Sequence, residues 1–70
     1  MSKKLDNLNQ VVEALIFASD IPITAEQIRS FVEETTPSQV RKAVDELNLE
    51  YTNTNRSFHI VPVAGGYQMV

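Results

Sequence analysis

The chain of 70 residues has no cysteine. That excludes a disulfide scaffold, a thiolate nucleophile and a cysteine-ligated metal site, and it suits a cytoplasmic location. The chain also lacks an excess of positive charge. Six basic residues stand against nine acidic ones, for a net charge of −3 and a pI near 4.9. Domains that hold nucleic acid through its phosphates tend toward a pI above about 9, so the balance here argues against that use. No apolar run approaches the ~20 residues of a membrane span. Lys3 and Lys4 form a basic start, but Asp6, Asn7, Asn9, Gln10 and Glu13 interrupt what would be the apolar core of a secretion signal. Internal repeats and low-complexity stretches are missing too. What remains is 43% hydrophobic, ordinary for a folded protein. A chain this short buries only about 60% of its unfolded surface, so it makes one domain with a thin core.

Three amphipathic helical patterns come first. Leu8, Val11, Val12, Leu15 and Ile16 recur at three- and four-residue steps, which predicts a helix over residues 7–19 with one apolar face, capped by Asp6 or Asn7. Ile21-Pro22-Ile23 then reads as a short extended connector, because proline lacks a donor and biases its predecessor away from helix. Thr24-Ala25-Glu26-Gln27 matches a capping box, with Ile23 and Ile28 placed as a hydrophobic staple. Ile28, Phe31 and Val32 form the expected buried face of this second helix. Thr36-Pro37-Ser38-Gln39 is another capping box, with proline at the first helical position. Val40, Ala43, Val44, Leu47 and Tyr51 follow as one stripe. Only a tight turn fits between Glu34 and Thr36. Two separately capped helices joined this closely make a helix-turn-helix.

The polar, helix-averse residues 52–57 form the expected loop into the last segment. There Phe58 to Val63 and Tyr67 to Val70 are β-rich arms around Ala64-Gly65-Gly66. Adjacent glycines supply the positive φ angles of a tight hairpin turn. Pro62 cannot donate to a ladder and belongs at an edge or bulge. Tyr67 opens the return strand and is expected to cover the third helix. Three helices followed by a β-hairpin give an α+β fold, the winged helix-turn-helix.

These residues also carry a resemblance. Val12-Glu-Ala-Leu-Ile-Phe-Ala-Ser19, Ile21-Pro-Ile23 and Val61-Pro-Val-Ala-Gly-Gly-Tyr67 resemble the N-terminal region of the segregation and condensation protein B family. The likeness extends from about Val11 onward, in the same order and spacing; Gln68 departs from it, at a place where a basic residue is common. The resemblance implies the first of two tandem winged-helix domains in a longer protein. It further implies a non-enzymatic accessory subunit, acting as a homodimer. Such a subunit binds the kleisin, segregation and condensation protein A, and through it the SMC ATPase, in chromosome condensation and segregation.

Candidate functional residues are weighed on the same grounds. On the third helix, the face opposite the core presents Ser38, Arg41, Lys42, Asp45, Glu46 and Leu49. Arg41 and Lys42 are the residues a small DNA-binding winged-helix regulator would use, aided by Lys3, Lys4 and Arg56. Asp45, Glu46 and Glu50 would repel the duplex, and residues 61–70 hold no basic side chain with which a wing could grip a phosphate. A solvated face with Arg41–Asp45 and Lys42–Glu46 pairs is the expectation, each worth only about 0.3–0.5 kcal/mol. Phe17 falls off the first helix's stripe: either it packs beneath the hairpin or the connector, or it belongs to an interface, where aromatics are enriched. Leu49, Pro62 and Val63 also fall off the core stripes and join it as interface candidates. His59 alternates to the solvent side of its strand and has no partner for a triad or metal site. Gly65 and Gly66 serve the turn rather than an anion nest. No catalytic residue, cofactor or metal is expected.

Overall fold

The computed structural model describes residues 8–70. The cap expected at Asp6 or Asn7 lies outside them, as do Lys3 and Lys4. Helix α1 spans Leu8–Ala18, α2 spans Ala25–Arg29 and α3 spans Pro37–Asn53. Strands β1 (Ile60–Val63) and β2 (Gly66–Met69) pair antiparallel as the hairpin, with Ile60 opposite Met69 and Val63 opposite Gly66. The predicted winged helix is therefore observed.

Both capping boxes form in full. Gln27 N–H donates to Thr24 Oγ1 at 3.1 Å while Thr24 N–H donates to Gln27 Oε1 at 2.8 Å. Thr36 and Gln39 repeat the exchange at 2.8 and 3.2 Å. Each box satisfies donors that a helix start otherwise leaves open. The core follows the predicted stripes without Phe31: Leu8, Val12 and Ile16 from α1 with Val11 and Leu15 half-buried beside them, Ile28 and Val32 around α2, and Val40, Ala43, Val44, Leu47 and Tyr51 from α3, closed by Ile60. Helix α1 packs along α3, β2 lies on α1, and β1 lies on α3.

Three expectations fail, two of them for local reasons. Helix α2 stops at Arg29: Ser30 Oγ donates to the Gln27 carbonyl at 2.6 Å, and Phe31 N–H reaches back only three residues, to Ile28. A serine that bonds its own preceding turn competes with helix continuation. Phe31 thus leaves the helix and is 67% exposed rather than buried, while Val32 still reaches the core. Helix α3 runs on through Thr52 and Asn53, which were expected in the loop. It ends where Asn55 turns left-handed (φ 59°), Arg56 N–H bonds the Tyr51 carbonyl at 2.8 Å and Asn55 N–H bonds that of Thr52 at 3.3 Å. This is a Schellman ending with asparagine in the glycine role. Tyr67 sits on the strand that covers α1, not α3. It also exchanges backbone bonds with Ile23, at 2.8 and 3.0 Å, so the connector acts as a one-residue third strand.

The hairpin turn divides its labour differently from the sequence expectation. The left-handed residues are Ala64 (φ 51°) and Gly65 (φ 80°), the pattern of a two-residue type I′ turn. Gly66 is needed for another reason. A Cβ on it would sit 2.8 Å from the Ile23 carbonyl oxygen, so its missing side chain lets the connector approach β2. On the other side of the hairpin, Asn48 of α3 bonds both backbone groups of Ile60: Nδ2 donates to the carbonyl at 2.9 Å and Oδ1 accepts from the N–H at 2.8 Å.

Candidate protein-interaction surface

The four apolar residues singled out by pattern are all exposed. Phe17 is 70% exposed and Leu49 62%, and Pro62 and Val63 lie open on the wing. Phe17 therefore does not pack beneath the hairpin or the connector. The four do not converge on one place. Pro62 shares the hairpin face of Ile60, Val63 lies on the opposite face, and Leu49 rides the outer side of α3. Three further exposed apolar residues, Ile21, Phe31 and Val70, escaped the pattern reading. Ile21, beside the connector proline, was the one whose position offered a signal.

Phe17 does have neighbours. With Ala14 and Glu13 of α1, and with Phe58 and Met69 from the hairpin, it lines an open groove of about 270 Å³. Strand β2 packs on α1, and the groove lies between that helix and the residues at the hairpin base. Its aromatic wall is braced from behind: Phe58 meets the Tyr51 ring edge-on, with centroids 5.0 Å apart, a favoured geometry for aromatic pairs. Tyr51 in turn donates its hydroxyl to Glu13 Oε2 at 2.6 Å. Burial, the Glu13 carboxylate and the nearby charge of Glu50 push the Tyr51 phenol far above its ordinary pKa, opposed only weakly by Arg56. Glu13 is half-buried, and the sequence pattern gave no sign of this bond because its partner lies 38 residues away.

The would-be reading face of α3 is compromised. Arg41 and Lys42 are exposed, as expected. Lys42 and Glu46, however, line a second groove of about 240 Å³ with Leu8 and Asn9 of α1, and Asn9 Nδ2 donates to Glu46 Oε1 at 3.0 Å. Part of the face that would enter a DNA groove is thus turned toward α1, with the Glu46 carboxylate bonded to Asn9. His59 is exposed, as its alternation predicts. Among the described residues no cluster of three potential metal ligands occurs, and no helix is long and apolar enough to cross a membrane.

The comparisons with known proteins bear on what such a surface serves. The family model described as "Segregation and condensation complex subunit ScpB" matches residues 10–70. The chain belongs to the ScpB family. The segregation and condensation protein B of Syntrophotalea carbinolica is 36% identical over 62 residues, which cover 89% of this chain and 31% of that protein. A conserved hypothetical protein from Chlorobium tepidum, known from its crystal structure, matches the whole chain with a TM-score of 0.89 at 38% identity, over 44% of its own length. ScpB from Mycobacterium tuberculosis matches with a TM-score of 0.79 at 23% identity, over 43% of its length, a likeness of fold. The chain thus spans about a third to under half of the relatives it matches. The described residues of this ScpB-family domain present scattered apolar side chains and a groove lined by aromatic rings.

Proposed function

We propose that this domain works by non-covalent association, as the N-terminal winged-helix module of an accessory subunit in the SMC condensin complex that serves chromosome condensation and segregation. In this reading it is the first of two such domains, it forms a homodimer, and it binds the kleisin subunit and through it SMC. It performs no chemistry. The observation that carries the reading is the combination of ScpB-family membership with large apolar side chains left exposed on a well-capped fold, above all Phe17 and Leu49. Exposed apolar groups that the core does not use are the usual material of protein interfaces. Phe17, Leu49, Pro62 and Val63 are the proposed contributors. A cytoplasmic, nucleoid-associated location follows from that role.

The rival use, as a DNA-binding regulator through Arg41 and Lys42, gains nothing from the fold. The wing residues 61–70 carry no cation, and the α3 face holds Asp45 and Glu46 beside the two basic residues. Size exclusion with light scattering tests the association reading, on the chain alone and mixed with a kleisin fragment from the same organism. Dimer mass and co-elution are expected. A monomer that ignores the fragment refutes it for this domain.

A further inference from the structure

The groove between α1 and the hairpin has an unusual composition for a surface wedge. Three of its walls are large and soft: the exposed Phe17 ring, the half-buried Phe58 ring and the Met69 side chain. Its one charged lining residue is Glu13. The Tyr51 hydroxyl occupies one oxygen of that carboxylate, which fixes its direction. The remaining acceptor positions have no partner, and no lysine or arginine lies within ion-pair distance, among the described residues. Glu50 acts on the same phenol and adds negative potential nearby, while Arg56 acts on the phenol from the other sign.

An apolar trough whose charged lining residue is an oriented carboxylate, without an ion-pair partner among the described residues, matches one kind of side chain. We propose that the groove is a docking subsite for a lysine or arginine side chain of a protein partner, its aliphatic stem lying across Phe17, Phe58 and Met69 and its cationic head reaching Glu13. Long basic side chains bury their methylenes on apolar surface while keeping the charge at a polar end. The Phe17 and Phe58 faces add cation–π attraction within about 6 Å of a ring. A second copy of the chain is the poorer occupant. In a symmetric pair meeting at this groove each copy would bring its own Glu13, and two carboxylates in one partly dry site oppose each other. The inference rests on the reading that this domain acts by protein association. It does not require the partner to be the kleisin.

The test uses the isotope-labelled 70-residue chain and two synthetic amphipathic helical peptides that differ at one central position, lysine in one and its uncharged counterpart norleucine in the other. Each is titrated by NMR against the natural chain and against Glu13→Gln, which keeps an oxygen to accept from Tyr51. The lysine peptide should shift the amides of Glu13, Ala14, Phe17, Phe58 and Met69. Its affinity should fall about fivefold to tenfold on either change alone, with little further loss when both are made, since charge-assisted contacts act as a pair. Phe17→Ala, at an exposed position, should weaken both peptides, the lysine peptide more, because it loses cation–π attraction as well as apolar contact. The proposal is overturned by equal affinity of the two peptides, by independent additive losses, by shifts that map elsewhere, or by no binding at millimolar peptide. Should the peptide titrations fail in any of these ways while the kleisin fragment still co-elutes, the groove assignment fails and the association reading stands.

Discussion

The two glycines of the wing should respond very differently to alanine. At Gly66 the added methyl would lie 2.8 Å from the Ile23 oxygen, 2.9 Å from its carbonyl carbon and 3.2 Å from its nitrogen. All three are backbone atoms, so no side chain can swing aside. Relief requires the connector to move away from β2, which lengthens the two Ile23–Tyr67 bonds at 2.8 and 3.0 Å. Overpacking of this kind costs about 1–3 kcal/mol, and each weakened backbone bond adds up to about 1 kcal/mol. Partial movement leaves some of both costs, so about 2–4 kcal/mol is expected in total. At Gly65 nothing lies within 4 Å of the added methyl, and the cost is only that of holding alanine at φ 80°, about 1 kcal/mol. A domain of this length has on the order of 4–10 kcal/mol to lose. With a urea slope of about 1 kcal/mol per molar, Gly66→Ala should lower the midpoint by about 2 M or more, and Gly65→Ala by about 1 M. Urea titrations followed by far-ultraviolet circular dichroism would measure both. If Gly66→Ala costs no more than Gly65→Ala, the close approach of the connector is not a feature of the folded chain.

Three other perturbations have definite signs. Ala64→Asn should stabilise by about 0.5–1 kcal/mol, because alanine now occupies a left-handed position that asparagine tolerates and that type I′ turns favour; an unchanged melting midpoint would refute that. Thr35 is only 2% exposed, and its hydroxyl has no hydrogen-bond partner among the described residues. Thr35→Val should therefore be neutral or stabilising by up to about 1 kcal/mol, since it removes an unsatisfied polar group at constant shape. A loss of stability in thermal denaturation would reveal a partner for that hydroxyl. The raised pKa of Tyr51 means that the unfolded chain releases the phenol proton near pH 10 while the folded chain retains it. The contribution is whole below about pH 10 and fades as pH rises through the folded value. Tyr51→Phe should cost about 1–2 kcal/mol at neutral pH and flatten the alkaline loss of stability. Parallel slopes in the two proteins above pH 10 would show that Tyr51 does not cause it.

Much of this fold is legible in the order of residues because its signals are local. Thr24 with Gln27, and Thr36 with Gln39, act over three residues, and each box can be read without knowing what surrounds it. The stripes on α1 and α3 are equally local, since spacing alone sets a helix face. What escaped the reading is set by contacts between distant segments or by single hydroxyls. Ser30 ends α2 by bonding its own preceding turn, and Phe31 is thereby lifted out of the core. Asn55 ends α3, two residues past its apolar stripe, by accepting a left-handed backbone; an asparagine just past a helix was the available signal. The role of Gly66 depends on Ile23, 43 positions earlier, and the shape of the groove depends on Glu13 meeting Tyr51. The stripe left Phe17 outside the core, but its place beside Phe58 and Met69 follows from how the hairpin packs on α1, which no periodicity encodes.

The outer margin of β1 is closed to further strand pairing. In the hairpin's alternation, Ile60 and Pro62 point their main-chain groups away from β2. Asn48 occupies both groups of Ile60, and Pro62 has no N–H to give. An incoming extended segment would find one usable carbonyl there and no donor. Edge-to-edge growth into fibres, and strand exchange between copies through this margin, are thus blocked by one asparagine and one proline. Replacing Asn48 with alanine would loosen the wing and at the same time uncover a template for aggregation. Any partner that approaches from this side must be held by side chains, which leaves sequence-specific recognition as the way to engage the wing there.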